Sequence, residues 1–170
     1  PGRGHQGDWT LGTDDARPIF QAAIEHGVNY FDCADIYGVG ASEIVVGQLL
    51  KELLPRDEYA LTTKVSMPMG RAPNQGGLSR KHIMEGVDQS LKRLGHDYVD
   101  QLIIHRHPHG IPGLAQTPIE ETMEALNDVV KAGKALYLGA SSMFAWQFAE
   151  LQMTAEHNGW TKFISMQNHL

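Results

Sequence analysis

The sequence is poor in cysteine, poor in basic side chains and free of long apolar runs, and each scarcity excludes a class of protein. One cysteine, Cys33, cannot form an internal disulfide, so a reducing, cytoplasmic setting is the simplest expectation. Inside an apolar stretch beside Asp32, that thiol reads as a packed core group rather than a reactive one. No apolar run approaches the roughly 18 residues needed to cross a bilayer, so no membrane association is expected. The 14 Lys and Arg against 20 Asp and Glu leave a net charge of -6, and nucleic acid is not the expected partner, because neutralising phosphates takes clustered cations. The chain begins at Pro1 without an initiator Met or the charged-then-apolar pattern of a signal peptide, and reads as a processed chain or as part of a longer one. No first strand is followed by the G-x-G-x-x-G fingerprint, which weighs against a dinucleotide-binding open sheet.

What is present is a regular alternation of helix and strand over 170 residues, 42% of them hydrophobic, enough for one globular core. Residues 1–13 are Gly-rich and aperiodic, a loop. Asp14 or Asp15 is expected to cap a helix with Pro18 in its first turn, with Ile19, Ala23 and His26 on one face. A strand follows near 28–34. Ser42 and Glu43 open a second helix striped by Val45, Leu49 and Leu53 and stopped by Pro55, and 59–65 is a strand. Ser79 caps a third helix carrying Ile83, Val87, Leu91 and Leu94, and 98–104 is a strand apolar enough for burial on both faces. Pro118 starts a helix with Ile119, Met123, Leu126 and Val130 on one side, before a strand at 135–140. Phe144, Phe148, Leu151 and Ala155 stripe the last helix, and 163–166 is the fifth strand. Trp146 and Trp160 are expected to pack inside. Trp9 could reach a substrate pocket from the opening loop.

Parallel strands need crossovers, and the helices supply them. No linker interrupts the pattern, so residues 1–170 read as a single domain. Of the two parallel architectures, a doubly wound sheet and a (β/α)8 TIM barrel, the barrel is preferred. The strands then end at or beside Asp32, Lys64, His105, Ser141 and Gln167, with Tyr37 just beyond the first. In a barrel these groups converge on one mouth. Singly, a buried Asp-Lys pair or a strand-end His is commonly structural; the convergence favours a site.

The chemistry these groups can perform is specific. A phenol ordinarily ionises near pH 10, and a neighbouring ammonium stabilises its anion. Lys64 can supply the ammonium, Asp32 can hold and orient it, and His105 can hydrogen-bond a carbonyl oxygen beside the Tyr37 hydroxyl. Reduction of a carbonyl with Tyr37 as general acid follows, provided a hydride is available. No side chain supplies hydride, so a nicotinamide cofactor is implied, and Ser141, Ser142 and Gln167 are suitable groups for its carboxamide.

These residues resemble a known family. D-C-A-D-I-Y-G resembles the aldo-keto reductase pattern of an Asp, an Ala two positions on and a Tyr-Gly, and T-T-K-V, I-I-H-R, G-A-S-S-M and S-M-Q-N-H look like its further signatures in order. The resemblance covers residues 14–170 and implies an NADP-dependent carbonyl reductase on a TIM barrel, with Asp32, Tyr37, Lys64 and His105 as catalytic tetrad. I-H-R-H-P-H followed by T-P-I-E-E-T-M-E-A-L looks like the aryl-alcohol dehydrogenase-like branch, implying an aldehyde or ketone substrate. A TIM barrel usually takes about 250 residues. The segments here resemble the family's second to sixth strands, so the chain reads as the central part of a barrel, with two unpaired edges, and alone is expected to bind NADPH poorly and to be nearly inactive.

Two other readings compete. His105 and His107 form an H-x-H pair of the kind seen in metal-dependent TIM-barrel hydrolases, with Lys64 as a bridging ligand. Aldo-keto reductase-like proteins also include cofactor-bound, non-catalytic partners, and the intact tetrad favours an enzyme over that role.

Overall fold

A computed structural model describes residues 10–107, 109 and 116–169; Trp9 and part of the loop expected after His105 lie outside them. The elements alternate as the sequence indicates. They are α1 (Thr13–Glu25), β1 (Tyr30–Asp32), α2 (Ala41–Leu53), β2 (Ala60–Val65), α3 (Arg80–Leu94), β3 (Val99–Ile104), α4 (Ile119–Lys131), β4 (Ala135–Ser141), α5 (Ala145–Asn158) and β5 (Phe163–Gln167), with a 3-10 turn, Arg56–Glu58, before β2.

All four strand pairings are parallel and the strand order is sequential, β1-β2-β3-β4-β5. Consecutive helices pack against one another, α1 on α2 through α4 on α5, so they share one face of the sheet. A doubly wound fold would place helices on both faces and reverse its strand order. Five strands wound in one sense, with helices on one side, form a curled half-barrel, an incomplete (β/α)8 barrel. β1 and β5 are the unpaired edges among the described residues.

The alternation of side chains divides the strands between two environments. Leu61 and Val65 of β2, Leu102 and Ile104 of β3, and Leu138 and Ala140 of β4 turn outward and are buried with Ile83, Val87, Met123, Leu126 and Leu151 from the helices. Burying each large aliphatic side chain is worth about 1.5–3 kcal/mol. The concave side is polar instead. The Tyr30 hydroxyl donates to Gln101 Oε1 at 2.8 Å, and Gln101 Nε2 donates to Ser165 Oγ at 2.6 Å and to the Leu138 carbonyl at 3.2 Å, tying β1, β3, β4 and β5 across the interior.

Helix ends follow local chemistry. Ser79 Oγ accepts from the His82 N–H, and Gly95 closes α3 in the left-handed conformation. Pro118 precedes α4 as its cap. Two expectations are corrected. α1 starts from Gly12 without an aspartate cap, Pro18 falls in its second turn, and the inward face is Ala16, Phe20 and Ile24. Ile19 is 57% exposed. Phe20 wins that position because its ring stacks on Phe31 of β1, 5.6 Å between centroids. In α5, Phe148, Leu151 and Ala155 face the core, whereas Phe144 and Trp146 are exposed. Phe144 is the extended residue before the helix, so helical spacing does not govern its direction. Trp160 packs on the core as expected, and Cys33 is fully buried, its thiol donating to the Thr62 carbonyl.

α2 meets α3 through Gly47, where a Cβ would stand 2.1 Å from the Leu94 carbonyl oxygen. Backbone cannot swing aside as a side chain can. Gly47→Ala should therefore destabilise the chain by about 1–3 kcal/mol in urea unfolding, while Gly12→Ala, with nothing within 4 Å of the new Cβ, should stay within about 0.5 kcal/mol of the parent.

Candidate active site

Lys64, next to last in β2, is almost fully buried, which a charged amine tolerates only with close partners. Its Nζ donates to Asp32 Oδ2 at 2.5 Å and to the Cys33 carbonyl at 2.9 Å. Asp32, the last residue of β1, uses its other oxygen to accept from Thr62 Oγ1 at 2.7 Å. The Lys64 ammonium also lies 5.0 Å from the centre of the Tyr37 ring, within cation–π range. His105, immediately after β3, stands edge-on to Tyr37, with ring centroids 5.6 Å apart and planes at 83°. The four groups expected to converge do so on one small volume at the carboxyl ends of β1, β2 and β3.

The His105 imidazole is held neutral. Burial pushes its pKa down to about 4, helped by the positive charges of Lys64 and Arg106 and opposed by Asp32. Its Nδ1 is buried and has no hydrogen-bond partner. A neutral ring here offers one N–H to a ligand and does not compete for the site's protons.

Tyr37 is positioned by its loop. Its N–H donates to the Ala34 carbonyl, its own carbonyl accepts from the Ser42 N–H, and the Asp35 N–H donates to the Lys64 carbonyl. Gly38, Val39 and Gly40 follow with φ of 60°, 52° and 91°. Glycines adopt this region freely; Val39 is β-branched and strained there, at a cost of order 1–3 kcal/mol. The chain accepts that strain in turning from Tyr37 into α2.

Two acidic groups behind the site went unread in the sequence. Asp35 is buried. Its Oδ1 accepts from the Ile36 N–H at 2.6 Å and its Oδ2 has no partner. Burial, then the nearby Glu43 carboxylate, raise its pKa to about 7 despite the Ile36 N–H and the charges of Arg93 and Lys64. Glu43, expected as a helix-opening acid, is completely buried: Oε1 accepts from Thr63 Oγ1 at 2.5 Å and Oε2 from Arg93 Nε at 2.6 Å. Arg93 lies 50 residues away, a separation that carries no signal in the sequence.

On β4 and β5, Ser141 pairs in register with Gln167, the Ser142 N–H donates to the Gln167 carbonyl at 3.1 Å, and the two serine hydroxyls are 3.2 Å apart. Ser141 is buried, Gln167 is exposed, and Ser142 holds a left-handed φ of 49°. Hydroxyls and a free amide at adjacent strand ends suit the amide of a nicotinamide. The H-x-H pair does not act together: the His107 ring contacts His109 and Trp146, while His105 contacts Tyr37. Among the described residues no three His, Cys, Asp or Glu side chains are grouped to hold a metal ion. A cavity of about 1470 Å³ opens beside Tyr37 and His105, walled by the segment before α1 with Phe20, the loop before α2, the first turns of α2 and the Met67–Arg71 segment.

Asp32→Asn should leave the buried Lys64 ammonium unpaired and cost about 3–5 kcal/mol in urea unfolding. Adding Lys64→Met should recover part of that loss, and strictly additive effects would contradict a direct pair. The pH dependence of Asp35 has a definite sign. Its folded pKa lies above the unfolded one, so the unfolded chain alone ionises from about pH 4 and stability falls until about pH 7. Asp35→Asn should remove that decline, its stability gaining on the parent by on the order of 3–4 kcal/mol across the window. Urea midpoints measured from pH 4 to 8 check it.

Residues 3–170 match the Aldo/keto reductase family. Over 95% of the chain, it is 44% identical to versiconal hemiacetal acetate reductase of Aspergillus parasiticus, covering 50% of that protein. It is 42% identical to a provisionally named aryl-alcohol dehydrogenase of Schizosaccharomyces pombe, covering 55% of it, and 41% identical to an aldo-keto reductase of Alternaria alternata, covering 49%. The chain thus spans about half the length of the curated relatives it matches. With the family matched along nearly all of its length, on a half-barrel whose strand ends carry Asp32, Tyr37, Lys64 and His105 together, this chain belongs to the aldo/keto reductase family.

Proposed function

We propose that this sequence supplies the catalytic half of an NADPH-dependent reductase that converts aldehydes or ketones to alcohols. Tyr37 acts as general acid, and Asp32, Lys64 and His105 complete the machinery. The observation that carries it is the contact set around Tyr37: a buried, carboxylate-paired ammonium 5.0 Å from its ring and a neutral imidazole against its edge. A structural Lys-Asp pair alone would need neither the tyrosine nor the histidine.

Ser141, Ser142 and Gln167 would hold the carboxamide of a nicotinamide cofactor, which would supply the hydride for the carbonyl carbon. The Tyr37 hydroxyl gives its proton to the carbonyl oxygen, so that C=O, hydride and proton together make the alcohol. The Lys64 ammonium stabilises the phenolate left behind, and Asp32 keeps that ammonium in place. Neutral His105 donates an N–H to the same oxygen and orients the carbonyl. The names of the relatives, which include an aryl-alcohol dehydrogenase, favour aromatic aldehydes among the substrates. No helix among the described residues is long and apolar enough to cross a membrane. On this reading the reaction would run in the cytoplasm, a reducing compartment that suits the free Cys33 thiol.

The half-barrel alone is expected to hold the cofactor weakly, so the test belongs in a closed barrel containing this sequence. There, Tyr37→Phe should lower kcat for aldehyde reduction at least about 100-fold while leaving NADPH affinity, followed by cofactor fluorescence, within about twofold. Full retained activity would contradict the role given to Tyr37.

A further inference from the structure

The cavity beside Tyr37 and His105 carries a charge pattern that carbonyl reduction does not require. Its walls are largely apolar, with Val39, Val45, Met67 and Met69 among them, and among the described residues the only ionisable side chains on them besides Tyr37 and His105 are two arginines, Arg71 and Arg106. Among the described residues no carboxylate lines it, in a chain with 20 acidic residues against 14 basic ones. Other arginines of the chain are engaged: Arg17 with Glu52, Arg56 with Asp100, Arg80 with Asp128 and Arg93 with Glu43. Neither Arg71 nor Arg106 has a carboxylate partner among the described residues.

We infer that this pocket selects carbonyl substrates that pair an apolar body with an anionic group, a carboxylate in the simplest case, received by Arg71 and Arg106. The inference rests on the proposed reductase reading for which end of the ligand faces Tyr37. The apolar walls take the body of such a molecule and leave its charge to the guanidiniums, which match a carboxylate's two oxygens with paired N–H donors. Arg106 follows His105 directly, and its charge already reaches the site, since it helps to hold that imidazole neutral. The arginines lie on the β2 and β3 side of the mouth, whereas Ser141, Ser142 and Gln167 stand at the ends of β4 and β5. The positive charge therefore belongs to the substrate side rather than to the amide-binding side.

The test compares two aromatic alcohols of nearly equal shape as product-like probes, 4-(hydroxymethyl)benzoate and its neutral amide 4-(hydroxymethyl)benzamide, titrated into the 170-residue chain by calorimetry or NMR. The benzoate should bind at least about fivefold more tightly at low salt. The advantage should shrink as salt rises and vanish in the Arg71→Gln/Arg106→Gln double variant, with amide binding unchanged. Equal affinities, no binding of either probe, or an anion preference that survives the double variant would overturn the inference. In a closed barrel, failure of the reductase reading shows separately, as absence of NADPH-dependent turnover of benzaldehyde and of 4-formylbenzoate alike. A preference for the benzoate that depends on the arginines would stand even then.

Discussion

A buried ammonium is the constraint around which the half-barrel is arranged. Lys64 sits on a strand enclosed on both faces, where an unpaired charge would cost several kcal/mol. Its partners come from one place, the end of β1, through the Asp32 carboxylate and the Cys33 carbonyl. Side chains alternate along a strand, so a one-residue slip of β1 against β2 would turn Asp32 toward the helices and strand the charge. The pairing of Asp32 with Thr62 is thus fixed by electrostatics as well as by apolar packing. The site and the register of the sheet enforce each other.

Behind that pair stands a second buried charge network. Glu43 of α2 bonds Thr63, the neighbour of Lys64, and Arg93 of α3. It fastens two helices to the strand that carries the ammonium. Asp35 lies in the same region and remains largely protonated below neutral pH, because burial disfavours its charge and the nearby Glu43 carboxylate adds to that penalty. The Tyr37 loop is held between these networks: its start by the Asp35 N–H on Lys64, its end by the Ser42 N–H on Tyr37.

The strand-helix alternation and all five strand ends were legible, because hydrophobic period and Gly, Pro and Ser punctuation are local properties. The convergence of Asp32, Tyr37, Lys64 and His105 was legible for a related reason. In a parallel sheet with sequential order, residues at successive strand ends become neighbours, so Asp32, Lys64 and His105 could be brought together without knowing a single contact. What was hidden depends on direction or on distant charge. Ile19 and Phe20 are adjacent apolar residues, and only the ring of Phe31 decides which turns inward. Trp146 is large and apolar yet exposed, on a helix whose inward stripe is complete without it. The burial of Glu43 requires Arg93, and nothing in the spacing of the two announces it.

The electrostatics of the mouth bear on the proposed chemistry as a whole. Carbonyl reduction builds negative charge on an oxygen, and an environment that stabilises it must be positive without offering a competing acid. Burial together with Lys64 and Arg106 keeps His105 neutral, so in the proposed reaction the histidine would donate a hydrogen bond and leave proton delivery to the tyrosine. Asp32 is paired with the Lys64 ammonium, and a further buried carboxyl on the same loop, Asp35, stays largely protonated below pH 7. Positive charge from Lys64 and Arg106 therefore lies close to Tyr37 and His105, where in the proposed reaction an oxyanion would form. The same field would draw in an anionic substrate, which ties the selection of the substrate to the stabilisation of its transition state through one set of charges.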